Sequence, residues 1–578
     1  MKKEIVSKLL EKKTNLNEDS SAAESDDNSS GLSCYEDHAI TESESETTED
    51  NEEYMASITD DKNDNSRIRK RRRIVSGEES VEETETAFDG TVWIKSQEDC
   101  FAGRSPAHNI FKQQSGPTGY AKRNIMKGNV RSSFSLIIDN YTMEYLQACT
   151  EAEARRVSNT NWRTSTQELN AFIGLLYARG AYETRNLKLS YLWSQKWGPA
   201  FFSKTMPRNK FTEIMKFIRF DKKDQRSQRL KKDKFALISE VWNRFIANSQ
   251  ACYKPGVNIT VDEQLFPTKA RCRFTQYMPN KPDKFGIKFW LAVDVSSKYI
   301  VNGLPYLGKD EARDSSTPLG EYVVLKLLEP YTGHGRNITT DSFFASLSLA
   351  SKLFAKKTTL VGTIRNNRRE LPKIAREKKD KMQRFSTLLY RTQNCLLTIY
   401  KSKPNKKVIL LSSMHNSAKI DKNAKCLPET VQYYNATKFG VDVADQMAKK
   451  YSVKGGSRRW PLHVFCNILD LGAINAWILY KECTGTNISR KDFLFQLAEE
   501  LVCEYADARH NPSTTTKQLA ASSTAAAHGS DNCKKRKRCQ IGFCKGDNKT
   551  GDICDGCKKP VCRKCKQKQV NICKKCDE

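Results

Sequence analysis

Around residue 256 the spacing of apolar residues changes period, and no other feature of the chain constrains its fold as much. Before that point, segments such as Glu168–Ala178 and Lys234–Phe245 place apolar residues three and four apart, as amphipathic helices do. After it, Val257, Ile259 and Val261 alternate with Asn258, Thr260 and Asp262, the pattern of a strand. Further strands are expected at 273–278, 286–295 and 299–307. A helix over 319–328, a strand over 337–340, a helix to about 354 and a strand over 359–364 follow. Strands followed by alternating helix and strand predict a multi-domain α/β protein built on a mixed sheet.

The rest of the chain divides around this centre. Residues 1–120 are rich in Ser, Thr, Asp and Glu and are expected to be disordered, because they cannot bury enough apolar surface to offset ordering entropy. Residues 121–256 read as helical, 257–365 as the first part of the α/β core, and 366–427 as a basic insertion, irregular apart from a strand-like Val408–Leu411. Residues 428–452 return to the core, 453–510 are helical again, 511–532 are a low-complexity linker, and 533–578 are cysteine-rich.

Charge is distributed as unevenly as hydropathy. The chain carries +29 overall, yet Glu18–Lys62 holds sixteen acidic residues and one basic one, so the remainder stands at +44. Such a surplus favours a polyanionic partner through counterion release and steering. The run Arg67–Arg73 reads either as a nuclear-import signal or as a phosphate-binding arm. The opening Met1-Lys2-Lys3-Glu4 begins no secretory leader. The most apolar stretch, Pro461–Tyr480, is interrupted by His463, Asn467, Asp470 and Asn475, which predicts a buried helix and no membrane partner.

Nine of the nineteen cysteines crowd into the last 46 positions. Cys539, Cys544, Cys554, Cys557, Cys562, Cys565, Cys573 and Cys576 include three C-x-x-C knuckles and one wider pair, enough thiolates for two tetrahedral Zn²⁺ sites in a reducing compartment. A segment this short would draw much of its folding energy from the metal. Residues 531–578 also carry a net charge of +9, with Lys558, Lys559, Arg563 and Lys564 among the knuckles. That is the footprint of a DNA-binding module, or of a protein-interaction zinc domain with an import signal beside it.

Four acids have placements that suit chemistry. Asp262 is expected at the end of its strand, away from the face set by Ile259 and Val261, and Asp341 closes the strand 337–340. Asp442 and Asp445 lie three apart on a predicted helix, so both emerge on one face. Acids converging in this way can hold two Mg²⁺ ions for in-line phosphoryl transfer.

At these residues the chain resembles the piggyBac transposase family. The resemblance is carried in order by Ile259–Leu265, by Tyr277–Lys288 with Asn302–Gly308, by Asn337–Phe344, by Val361–Pro372, and by Tyr433–Met447 running on to Arg459-Trp460-Pro461. It implies an RNase H-like catalytic core interrupted by an insertion domain, flanked by a split helical DNA-binding and dimerisation domain, with a C-terminal cross-brace zinc domain. It further implies a homodimer that cuts and pastes DNA at TTAA targets, acting on transposon ends and target duplex, and with the basic run read as an import signal the expected location is the nucleus. The family's three essential aspartates fall on Asp262, Asp341 and Asp442 as Mg²⁺ ligands, and a further acid falls on Asp445. Ser342 and Phe439 depart from the family's usual residues, and neither removes a ligand.

Arg458, Arg459 and Trp460 open a predicted helix, where Trp460 can lean on DNA bases or anchor the core. The reading that follows is a DNA transposase with magnesium and zinc as cofactors. Its alternative is a domesticated, sequence-specific DNA-binding regulator that has kept the fold but not the reaction.

Overall fold

The computed structural model describes residues 83–96, 110–279, 281–308, 313–377 and 380–510, with short stretches between 537 and 565. The chain to Asp507 forms one compact unit and the residues from Ala508 a second.

The first unit is organised by one eleven-stranded sheet. Its strands are β1 (Thr84–Thr86), β2 (Val92–Ser96), β5 (Asn258–Pro267), β6 (Thr275–Tyr277), β7 (Phe285–Asp294), β8 (Ile300–Pro305), β9 (Asn337–Thr340), β10 (Thr359–Thr363), β11 (Thr387–Arg391), β12 (Leu396–Lys403) and β13 (Lys406–Ser412). Two short strands, β3 (Gly116–Pro117) and β4 (Tyr253–Lys254), pair apart from it. The order is β1-β2-β11-β12-β13-β10-β9-β5-β7, with β6 and β8 both paired to β7. β5, β9 and β10 run parallel at the centre, and their neighbours are antiparallel.

Ile259, Thr260 and Val261 are all buried, so both faces of β5 are covered. The helix Gly440–Lys450 packs on β5 and β7, and Leu347–Ala355 packs on β10. Leu319–Leu328 packs on β7 and β8. The Trp460–Thr484 helix is long and apolar enough to cross a membrane, but 94% of its most apolar window is buried inside the protein. It meets Val130–Ile137 and Ser239–Cys252, while Tyr177 of helix Thr166–Ala181 donates to the Leu469 carbonyl at 2.9 Å. Helices from both sides of the sheet's sequence therefore share one core.

Three expectations are corrected. Disorder does not extend across the first 120 residues: β1 and β2 form a hairpin whose second strand pairs with β11. Trp93 is the reason, being fully buried with its indole N–H donating to the Glu370 carbonyl at 2.8 Å. The segment 366–427 is not irregular either, because β11, β12 and β13 continue the central sheet through the β10–β13 pairing. Asp262, finally, is not at the end of its strand, since β5 continues to Pro267.

In the second unit, β14 (Lys537–Arg538) pairs with β15 (Lys549–Thr550). Val561, Cys562 and Cys565 are buried, and the Cys565 N–H donates to the Cys562 carbonyl at 2.9 Å. That turn brings the two cysteines of one knuckle together. Cys539, Cys544, Cys554, Cys557, Cys573, Cys576, Lys558, Arg563, Lys564 and the run Arg67–Arg73 lie outside the described residues. Lys559 is exposed.

Candidate active site

What places Asp262 at a site is the length of its neighbour. β9 pairs with β5 only as far as Thr340 opposite Val261, so Asp262 is the first residue of β5 with no strand beside it on that edge. Asp341 directly follows the last residue of β9. The two acids therefore meet where one parallel strand stops and its partner runs on, the carboxyl-end edge where α/β sheets tend to place ligands.

A third acid joins them. One carboxylate oxygen from each of Asp262, Glu263 and Asp341 lies within 4.8 Å of the others. Strict alternation would turn Glu263 to the opposite face from Asp262. Asp262 Oδ1 also accepts the Glu263 backbone N–H at 2.7 Å. Burial pushes Asp262 well above the usual carboxylate range, and the Glu263, Asp341 and Asp442 charges add to it. Burial and Glu263 likewise push Asp341 up, against a backbone hydrogen bond from Phe343 and the opposing charges of Arg365 and Lys288. Lys288 Nζ lies 3.6 Å from the Glu263 carboxylate. It also lies 5.2 Å from the centre of the Phe343 ring, and Arg365 approaches the same ring at 5.6 Å.

Asp442 reaches the site on the first turn of Gly440–Lys450, whose close approach depends on Gly440. A Cβ there would fall 2.5 Å from Thr260 Oγ1 on β5, so any side chain would push the helix outward. The threonines of the strands hold the preceding helix, Glu429–Thr437, in turn. Thr260 Oγ1 donates to the Thr437 carbonyl at 2.7 Å and Thr339 Oγ1 donates to Thr437 Oγ1 at 2.8 Å. Asp442 lies outside the tight three-acid cluster, although its charge acts on Asp262. Phe439 has a negative φ of −82°, which any residue can adopt, so no glycine is needed at that position.

Asp445 is not brought into the cluster. Its Oδ1 accepts from Gln264 Nε2 at 3.0 Å and its Oδ2 pairs with Lys449 Nζ at 2.8 Å, one helical turn on. Asn467 donates to Gln264 at 2.9 Å and completes that chain. Asp445, expected among the catalytic acids, is thus held by Gln264 and Lys449 in this structure.

Two of the three residues expected to touch DNA beside the site have partners inside the protein. Arg459 donates to the Ile218 carbonyl at 2.8 Å and also to that of Met215, satisfying the end of helix Arg208–Phe217. Trp460 stacks on Phe235, centroids 5.7 Å apart, and meets Phe274 edge-on at 5.0 Å. Arg458 is exposed.

Two residues that the sequence did not single out belong to the site. Glu263 could have been found from the adjacent pair Asp262-Glu263 itself. Tyr434 carried no such signal. Its hydroxyl lies 3.4 Å from Thr363 Oγ1, and its phenol is pushed up by burial and by the charges of Asp341, Asp262 and Asp442.

The donor set fits a hard divalent cation, which favours carboxylate oxygens and would relieve the mutual repulsion of these half-buried acids. Comparison with known proteins agrees in kind. The family model described as Transposase IS4 matches residues 131–477. PiggyBac transposable element-derived protein 3 of Homo sapiens is 24% identical over 371 residues, covering 60% of this chain and 60% of that protein. The Chimeric ERCC6-PGBD3 protein of Homo sapiens is also 24% identical over 371 residues, covering 60% of this chain and 34% of that protein. The match thus spans less than two thirds of either relative. A cryo-EM structure of the piggyBac transposase synaptic complex with hairpin DNA superposes with a TM-score of 0.65 at 30% identity, covering 80% of this chain and 100% of that one.

Proposed function

The chain belongs to the piggyBac transposase family, and from that premise we propose that it is a metal-dependent DNA transposase that cleaves DNA strands and rejoins them at TTAA targets. The observation that carries this reading is the convergence of Asp262, Glu263 and Asp341 where β9 ends beside β5, with Asp442 approaching from the helix. The β8-β7-β5-β9-β10 arrangement around them suits an RNase H-like core.

Asp262, Glu263 and Asp341, with Asp442, are the residues that would hold magnesium. Two such ions, when bound, would supply activation of the attacking oxygen and stabilisation of the leaving one. The protein's own part is to keep the carboxylates together by burial and to hold Asp442 close through Gly440. Lys288 and Arg365 set positive charge beside Asp341, where a scissile phosphate would sit.

The remaining assignments rest on the same premise. A homodimer acting on transposon ends and target duplex in the nucleus is the assembly this reading carries, with Arg67–Arg73 as import signal. The cysteine tail would hold two Zn²⁺, and the buried Cys562 and Cys565 suit one half of such a site.

The test is strand cleavage and strand transfer with DNA flanking the gene. Asp262→Asn or Asp341→Asn should abolish magnesium-dependent nicking while retaining DNA binding. A wild-type protein that binds those ends but never cuts them would instead support the domesticated regulator.

A further inference from the structure

The hairpin of β6 and β7 presents an aromatic pair that the acid cluster does not use. Tyr277 and Phe285 are direct cross-strand partners with ring centroids 4.9 Å apart, and they remain 57% and 54% exposed. A plain structural role would be to clip the hairpin shut. The backbone already does so, since Met278 N–H donates to the Lys284 carbonyl at 2.8 Å across the hairpin's end. Two rings that keep more than half their surface in water after pairing are a costly clip and an open stacking platform.

Their surroundings say what they would stack on. Residues 269–288 contain six basic residues and one acidic residue, Asp283. Arg271, Arg273 and Lys284 are exposed, and none forms an ion pair among the described residues. Ring faces set among unpaired cations suit a nucleic acid base with its phosphates, since base–aromatic stacking tolerates any sequence and the cations track the backbone.

Register fixes the position relative to the acids. Asp262 lies opposite Leu291, Gln264 opposite Phe289 and Phe266 opposite Ile287, so Phe285 continues the same face as Asp262. Six steps along the strand lead from Phe285 to Leu291, a distance of roughly 20 Å at the usual rise. That is about six stacked base steps of DNA.

We infer that Tyr277 and Phe285 form a stacking platform for an unpaired DNA base about six nucleotides from the phosphate held at the acid cluster, with Arg271, Arg273 and Lys284 holding the adjoining backbone. The inference rests on the proposed DNA-cleaving role of that cluster. It names the conformation of DNA the protein prefers: a duplex opened beside the cut site.

The experiment uses the full chain, a matched duplex from the gene's flanks, and the same duplex with a short run of thymine mismatches carrying 2-aminopurine. Wild type should bind the opened duplex about tenfold more tightly than the matched one and quench the probe base. Tyr277→Thr with Phe285→Val keeps β-branched residues in both strands and removes the ring faces. It should cut that preference to about twofold or less and abolish quenching, with matched-duplex affinity unchanged. Arg271→Gln with Arg273→Gln should instead weaken both duplexes alike and flatten the salt dependence.

A ring-less variant that keeps both preference and quenching overturns the inference and leaves the pair as a hairpin clip or a protein contact. Equal loss on both duplexes also overturns it. Cleavage scored on the same samples separates the two claims. Loss of preference in the variants, with no cutting by wild type, sinks the catalytic reading alone. Cutting by wild type with unchanged preference in the variants sinks the platform alone.

Discussion

In the sheet extension the side chain of Asp380 is shielded together with two lysines, Lys401 and Lys407, whose Nζ atoms each lie 2.9 Å from one of its oxygens. At the acid cluster Asp262 is shielded beside Glu263 and Asp341, and no ion pair reaches it among the described residues. Burial pushes both carboxyls upward. At Asp380 the hydrogen bonds from Lys407 and Lys401 win and bring it down to about 2, whereas at Asp262 like charges add to burial. One carboxylate is finished by the fold and holds strands together. The other is left wanting positive charge that the chain does not supply, the condition of an acid that takes a cation from outside.

The largest effect should fall on the finished site. Asp380→Asn leaves Lys401 and Lys407 shielded without a counter-charge and should cost about 3–5 kcal/mol of stability, the usual scale for breaking a buried pair. Chemical denaturation of the full protein measures it. Asp262→Asn removes a repelled charge and should leave the metal-free protein at least as stable as wild type. If Asp262→Asn destabilises as much as Asp380→Asn does, the contrast between the two sites fails.

Metal should reverse that order. Magnesium at a hundred times its dissociation constant should stabilise wild type by about 2.7 kcal/mol, and a chelator should remove the gain. Asp262→Asn and Asp341→Asn should lose it, and Asp380→Asn should keep it. A shift that survives at both cluster variants would move the metal elsewhere.

A third buried acid tests the pH side of the contrast. Asp470 accepts hydrogen bonds from Ser452 and the Val453 N–H, yet burial pushes it up to about 7. Its folded value lies above the unfolded one of about 3.9, so folded protein binds the extra proton and stability falls as pH rises from about 4 to 7. Asp380 has the opposite sign: its contribution is complete above about pH 4 and is lost as pH falls toward 2. Asp470→Asn should therefore flatten the stability profile between pH 4 and 7, by up to about 1.4 kcal/mol per pH unit. A profile that is unchanged there would mean that Asp470 is already ionised in the folded state.

The parts of this molecule that sequence made legible are those governed by short-range periodicity. The helix Leu319–Leu328 and the strand Asn337–Thr340 lie where apolar spacing put them, and Asp341 duly follows a strand end. The partner of Asp445 was legible locally, because Lys449 stands four residues on along the same helix face. Arg459 was beyond reach, since its carbonyl partners lie 241 and 244 residues away. Charge masked β11, β12 and the ends of β13 around the strand-like Val408–Leu411, where basic residues at the ends of apolar runs disguise strands as a loop. Asp262's place was legible as a residue but not as a geometry, for the site exists because β9 ends opposite Val261, a fact of register between residues 79 positions apart.

The smallest effect expected is also the finest probe of an acid left wanting charge. Glu263 and Lys288 lie 3.6 Å apart with side chains only 16% and 14% exposed, so Lys288 partly answers the cluster's negative charge. Glu263→Gln removes a donor and leaves Lys288 uncompensated beside Asp341, so magnesium should bind about tenfold more weakly. Lys288→Met removes the competing cation and leaves all three carboxylates, so magnesium should bind more tightly, by about fivefold at most for a pair of this kind. Titration followed by thermal shift measures both without any need for cleavage. The two changes must act in opposite directions if Glu263 faces the metal and Lys288 only balances it. Weaker binding in both would mean that Lys288 holds Glu263 in place, and unchanged binding in Glu263→Gln would return the site to Asp262, Asp341 and Asp442 alone.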